Sequence, residues 1–206
     1  MSIFSYNGAA LVGMAGKDCV AVAVDKRLGV NQFQTISANF QRAFQVSERC
    51  FVALGGLASD VQTVHKEIAY RMKMYSLREE REMEPKVVTA LVASMLYARR
   101  FGPWFVDPVV AGLDKDNKPV LAGYDSIGAK SEAHDFVTGG TASDQLFGLC
   151  EQFWKPDMDA DQLFETISQC LLAAVDRDCV SGWGADVFIL TADGTVTKKT
   201  LKVRQD

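Results

Sequence analysis

The chain has 206 residues, 48% of them hydrophobic and 23% charged, with a formal net charge of −4. That is enough apolar material for a sizeable core, and the length predicts one domain over residues 1–206. The acidic balance, with no basic stripe, argues against a nucleic-acid partner, and no run approaches the roughly 18 apolar residues of a membrane span.

Residues 1–7 carry no basic stretch followed by a long apolar one, which argues against a secretory leader. Residues 9–14 and 19–24 read as strands joined by a turn at 15–18 of hairpin composition. The second, Cys19-Val-Ala-Val-Ala-Val24, is apolar on both faces and predicts a strand buried between layers. Further strands are predicted near 34–38, 43–46 and 50–54, the last ending at Gly55-Gly56. A helix over about 58–78 presents Val61, Val64, Ile68, Met72 and Tyr75 on one face, at steps of three and four. Pro85 opens a second helix that runs to about Arg100.

Strands return near 107–113, 119–124 and 132–138, with a turn at 115–117. Thr141-Ala-Ser-Asp144 has capping-box spacing for a third helix, broken by Pro156. Asp159-Ala-Asp-Gln162 opens a fourth, apolar at Leu163, Ile167, Leu171 and Ala174. Two strands, 185–191 and 195–203, close the chain around a turn at 192–194. Helices in consecutive pairs and strands in runs exclude an alternating βαβ chain. Antiparallel sheets facing each other, with a helix pair on each outer face, make an α+β four-layer α-β-β-α sandwich.

Five cysteines include no CxxC pair, and the two histidines, His65 and His134, make no zinc-ligand spacing with them. Most of the thiols are expected to be small buried hydrophobes. The glycine pairs lack the GxxxxGK[ST] pattern of a phosphate loop. Asp176 and Asp178 could be paired glycosidase carboxylates. Arg78, Arg81, Arg99 and Arg100 alternate with acids and read as a solvated or subunit-facing surface. Phe101-Gly-Pro-Trp104-Phe105 is core or interface, with interface favoured by its large rings.

Five segments carry the specific signal. They are Gly8-Ala9 with the following residues 10–17, Cys19 to Asp25, Gly55-Gly56-Leu-Ala-Ser-Asp60, Asp107-Pro-Val-Val-Ala-Gly-Leu-Asp114, and Asp176-Arg-Asp178-Cys-Val-Ser181-Gly182-Trp-Gly184. In this order and spacing they resemble proteasome beta subunits over nearly the whole chain, which implies the N-terminal-nucleophile hydrolase fold. In catalytic members, cleavage after the glycine frees a threonine whose hydroxyl is the nucleophile and whose amine is the base. Here Ala9 follows the glycine, and a methyl group has no lone pair to attack with.

By the same resemblance Asp25 is the aspartate that orients the catalytic lysine, and Gly56 belongs to the turn that stabilises the oxyanion. Asp178, Ser181 and Gly182 belong to the loop that supports the nucleophile. The lysine's place falls at Arg42, which keeps the charge but cannot release a proton near neutral pH. The supporting serine's place falls at Gly139. Asp25 and Asp178 are then expected to pair with Arg42 or to cap backbone N–H groups.

The segments Ser2-Ile-Phe-Ser-Tyr-Asn-Gly8, Leu57-Ala-Ser-Asp-Val-Gln-Thr63, Arg100-Phe-Gly-Pro103 and Leu163-Phe-Glu-Thr-Ile-Ser-Gln169 resemble a non-catalytic branch of the family. This implies a structural subunit of the seven-membered beta ring of the 20S core, in cytoplasm and nucleus, serving ATP- and ubiquitin-dependent degradation. Other alpha and beta subunits are the implied partners, with beta type-2 and beta type-4 as ring neighbours, and no cofactor is implied. Asp125, in Tyr124-Asp125-Ser-Ile-Gly128, resembles the segment that lines a neighbour's substrate pocket, or else it only caps its own turn. Two rival readings stand beside this one: a hydrolase using Ser2, Ser5 or Cys19, and a free-standing binding module.

Overall fold

The computed structural model describes residues 2–205. After a short 3-10 turn at Ile3–Ser5 come strands β1 (Ala10–Ala15), β2 (Cys19–Asp25), β3 (Leu28–Val30), β4 (Gln34–Ser37), β5 (Ala43–Ser47) and β6 (Cys50–Gly56). Helices α1 (Ala58–Glu79) and α2 (Pro85–Tyr97) follow, then β7 (Val106–Leu113), β8 (Pro119–Tyr124), β9 (Lys130–Ala133) and β10 (Phe136–Gly140). Helices α3 (Ser143–Phe153) and α4 (Ala160–Val175) precede the final hairpin, β11 (Ala185–Thr191) and β12 (Val196–Leu201).

Two five-stranded antiparallel sheets result, ordered β10-β1-β2-β11-β12 and β5-β6-β7-β8-β9, beside a small β3-β4 ribbon. Side chains alternate across a strand, so β1 and β2 serve two layers at once. Leu11, Val22 and Val24 point inward and pack with Phe51, Ala53, Val109 and Leu121 of the facing sheet. Ala10, Val12, Met14, Ala21 and Ala23 point outward into Leu163, Ile167, Leu171 and Ala174 of α4. On the other side, Val52, Leu54 and Val110 meet Val61, Val64 and Ile68 of α1 and Val88 and Val92 of α2. The α-β-β-α sandwich expected from the pattern is the observed architecture, and every residue of β2 is buried, as its two apolar faces require.

Three local expectations are corrected. The strand predicted over 132–138 is two strands in different sheets: β9 pairs with β8, and β10 pairs with β1. The chain leaves one sheet at Ala133 and enters the other at Phe136, so His134 and Asp135 form the crossover. The capping box at residues 141–144 does not form; Ala142 holds the N-cap with no side-chain bond, because the Thr141 hydroxyl is engaged elsewhere. The box at Asp159 does form, with Gln162 N–H donating to Asp159 Oδ1 at 2.8 Å and Asp159 N–H to Gln162 Oε1 at 3.3 Å. The β3-β4 ribbon also begins earlier than predicted, with β3 formed by residues that have no strand pattern of their own.

Candidate functional site

Sheet register brings the singled-out residues to one end of the sandwich. Ala10 lies opposite Gly140, Leu11 opposite Val24, and Asp25 opposite Ala185. The start of β1, the end of β2, the end of β10 and the loop before β11 therefore converge. The end of β6 arrives from the facing sheet, close enough that a Cβ on Gly55 would stand 3.1 Å from the Ala9 methyl.

Ala9 is only 1% exposed and its N–H donates to Thr141 Oγ1 at 3.2 Å. The Thr141 hydroxyl lies 2.7 Å from Asp178 Oδ2, which also accepts from Ser181 Oγ at 2.6 Å, while Asp178 Oδ1 accepts from Val180 N–H. A hydroxyl, a carboxylate and a second hydroxyl thus stand in line behind the Ala9 nitrogen. This corrects the placement of the supporting hydroxyl. Gly139 pairs with Leu11, and a Cβ there would approach Asp107 Oδ2 at 3.3 Å rather than Ala9. Thr141, two residues on, holds the position instead.

Asp25 and Arg42 form the expected pair. Arg42 Nε lies 3.0 Å from Asp25 Oδ1, with both side chains fully buried. Asp25 also accepts N–H bonds from Ala10 (2.9 Å), Arg27 (3.2 Å) and Gly182 (3.2 Å), so it fastens three segments together. Burial pushes its carboxyl upward, while Arg42 and these three donors pull it back. Arg42 Nη2 donates to the carbonyls of Gly8 and Arg27, each at 2.6 Å. Its Nη1 is buried with no hydrogen-bond partner, a cost that the surrounding bonds must offset. A guanidinium spread across a carboxylate and two carbonyls is a clamp, not a proton shuttle.

Three further residues support the site, and the sequence assigned a role to none of them. Arg27 is 2% exposed and donates to Thr35 Oγ1 (3.0 Å) and to the carbonyls of Val180 (2.9 Å) and Gln34 (3.1 Å). It ties the ribbon to the Asp178 loop, whereas an arginine in a turn ordinarily reads as solvated. Asn7 donates through Nδ2 to Gly29 O and accepts Ala58 N–H on Oδ1, each at 2.8 Å. Asp107 accepts Gly140 N–H at 2.6 Å, and burial pushes its carboxyl upward.

Gly56 has φ +99°, and any Cβ there would strike the Phe105 carbonyl, so the sharp exit from β6 requires glycine. It lines a cleft of about 340 Å³ with Asp107, Asp125, Ser126, Gly140 and Thr141. Asp125 accepts N–H bonds from Ile127 (3.0 Å) and Ala129 (2.7 Å) on Oδ1, so it does cap its turn while facing this cleft.

Other candidates fall outside this cluster. His65 stacks on Phe44 with ring centroids 3.7 Å apart, and burial holds its pKa below the usual value. Cys19, Cys50, Cys150 and Cys170 are buried and Cys179 is exposed, with no disulfide among them. Asp178 has three donors of its own and makes no pair with Asp176. The aromatic run divides: Phe101 stands 98% exposed, while Trp104 packs on the second core beneath Arg99. Among the described residues no group of three or more His, Cys, Asp or Glu could hold a metal ion, and no helix is long and apolar enough to cross a membrane.

Two facing antiparallel sheets, helix pairs outside, and a polar cluster at the start of the first hairpin define a sandwich of the N-terminal-nucleophile hydrolase type. The chain belongs to the proteasome subunit family, whose profile, described as "Proteasome subunit", matches residues 5–190. It is 54% identical over 206 residues to "Proteasome subunit beta type-3" of Picea mariana. It is 50% identical over 206 residues to "Probable proteasome subunit beta type-3" of Schizosaccharomyces pombe, and 49% identical over 207 residues to "Proteasome subunit beta type-3" of Drosophila melanogaster. Each match covers the whole of both chains.

Proposed function

We propose that this chain is a single-domain, non-catalytic structural subunit of the beta ring of the 20S proteasome, helping to enclose the chamber in which other subunits cut proteins. The observation that carries this is Ala9, a buried methyl group at the centre of the polar cluster, next to a Gly8 carbonyl that accepts from Arg42. A nucleophile needs a lone pair and a base that can accept its proton. Ala9 carries no lone pair on its side chain, and an arginine, Arg42, stands in the lysine's place.

The partners are other alpha and beta subunits, with beta type-2 and beta type-4 as ring neighbours. The site of action is cytoplasm and nucleus, in ATP- and ubiquitin-dependent degradation. Large exposed rings support obligate partners, above all Phe33 (92% exposed) and Phe101 (98%). Asp125 is proposed to supply a carboxylate to the substrate pocket of the type-2 neighbour, favouring basic side chains.

The rival nucleophiles fare poorly on geometry. The Cys19 thiol is buried and pushed up to about 11 by desolvation, and Ser2 Oγ accepts Phe4 N–H within its own turn. Intact-mass measurement of the native chain, with size-exclusion of the extract, tests the proposal. A chain that retains residues 3–8 and elutes with particle-sized material is expected. A chain beginning at Ala9, or eluting as a monomer, overturns it.

A further inference from the structure

Two thiols meet where the outer helix pair α3 and α4 closes over the first sheet. On α3 the buried residues are Leu146 and Cys150, one turn apart, which mark the stripe by which that helix packs. On α4 the buried stripe includes Ile167, Cys170, Leu171 and Ala174. Cys150 and Cys170 are both 0% exposed and belong to the same core cluster. Leu149 and Gln152 of α3, with Thr166, Gln169 and Ala173 of α4, line a groove of about 940 Å³ between the helices. The two thiols therefore lie at the seam, beside that groove.

The Cys150 thiol donates a hydrogen bond to the Cys170 sulfur. That bond holds Cys170 below the usual thiol range and raises Cys150, to which burial adds a further rise. The other buried thiols bond carbonyls instead: Cys19 Sγ donates to Met158 O and Cys50 Sγ to Phe51 O, each at 3.8 Å. Helix axes about 8–10 Å apart, less two Cα radii of about 2.3 Å, leave facing Cα atoms about 4–6 Å apart, within the span of a disulfide.

We infer that Cys150 and Cys170 are a peroxide-sensitive dithiol, a modification site at which oxidation closes a disulfide between α3 and α4. The Cys170 thiolate attacks one oxygen of hydrogen peroxide and the O–O bond breaks. The departing hydroxide takes up the proton that Cys170 released, which leaves water and a sulfenic acid on Cys170. The Cys150 sulfur then attacks the Cys170 sulfur, the S–O bond breaks, and the second hydroxide leaves as water with the Cys150 proton. Two thiols are oxidised to one disulfide while one peroxide is reduced to two waters. Burial selects the oxidant: a peroxide is close to water in size and enters through small openings of the helix pair, whereas a glutathione-sized disulfide stays outside.

The test uses the assembled particle carrying Cys179→Ser, which removes the one exposed thiol. After treatment with hydrogen peroxide, then denaturation and alkylation without reductant, Cys150 and Cys170 should be lost together as alkylatable thiols. The chain should be lighter by two hydrogen atoms before alkylation. Cleavage after Glu151 and Glu165 should release the peptide ending at Glu151 joined to the one beginning at Thr166, and reduction should separate them. Cys150→Ser and Cys170→Ser should each abolish the bridge. Glutathione disulfide should leave both thiols alkylatable.

Full alkylation of both cysteines after peroxide overturns the inference. So does a bridge from either of them to Cys19, oxidation of one thiol alone, a mixed disulfide with glutathione, or a bridge that appears only when the particle is denatured before the peroxide is added. Mapping of the unsubstituted pair decides the matter even if a serine variant fails to assemble.

Discussion

Arg42→Met is the most direct perturbation of the site. It deletes a guanidinium that is wholly buried beside Asp25 and removes the donor shared by Gly8 O and Arg27 O. Breaking a buried ion pair by removing one partner costs about 3–5 kcal/mol, because the remaining charge has neither water nor a counter-ion. Asp25 keeps three backbone N–H donors, which places the cost near the lower end, about 3 kcal/mol. Against a domain stability of about 5–15 kcal/mol, that is a large local loss. It corresponds to a roughly hundredfold shift in the opening equilibrium.

The assay is hydrogen exchange of the Ala10, Arg27 and Gly182 amides, which point at Asp25, in purified particles. Their exchange should accelerate by about two orders of magnitude in Arg42→Met. Arg42→Lys keeps the charge but replaces a planar fork with a point donor, so about one order is expected. Asp25→Asn combined with Arg42→Met should recover part of the loss, because the stranded charge is gone. Exchange in Arg42→Met within about twofold of the parent would refute the clamp. So would a lysine variant worse than the methionine one.

Ala9→Thr alone should not create a protease, since an arginine, Arg42, stands in the lysine's place and donates to the Gly8 carbonyl; rapid labelling of that threonine by an epoxyketone probe would refute this. Asp125→Asn should lower trypsin-like cleavage by assembled particles several-fold, mainly through KM, with chymotrypsin-like and caspase-like activities near the parent. Equal loss of all three would indicate faulty assembly, and no loss would remove the pocket role. For Asp107, burial raises the folded pKa, so its charge costs stability as pH rises from the unfolded value of about 4 through the folded one. Asp107→Asn keeps an acceptor for Gly140 N–H and should therefore stabilise this region near pH 7, with the gain fading towards pH ~4. Thermal shift at both pH values checks it, and a gain that grows on acidification would count against the reasoning.

How much of this was legible beforehand depended on the range of the forces involved. The hairpin of β1 and β2, the faces of α1 and α4, the box at Asp159 and the order of strand and helix runs all follow from spacings of two, three or four residues. The four layers followed because a strand apolar on both faces needs cover on both. The Asp25–Arg42 pair could be anticipated because the family resemblance places both residues beside the threonine's position.

What spacing could not decide was which distant segments share a hydrogen bond. The break between β9 and β10 depends on each half finding a better partner strand in a different sheet. The run itself has no turn signal strong enough to announce it. Thr141 has the spacing of a helix cap, yet its hydroxyl bonds Asp178, 37 residues away, and accepts from Ala9, 132 residues away. Arg27 reads as a surface cation and is buried because four backbone segments converge on it, Val180 lying 153 residues distant. Local pattern determined what each segment would be, through backbone periodicity and the drive to bury apolar faces. Only the closed sandwich decided which hydroxyl, carboxylate and guanidinium meet at Ala9, because a buried polar group takes whatever partner the packing brings within about 3 Å.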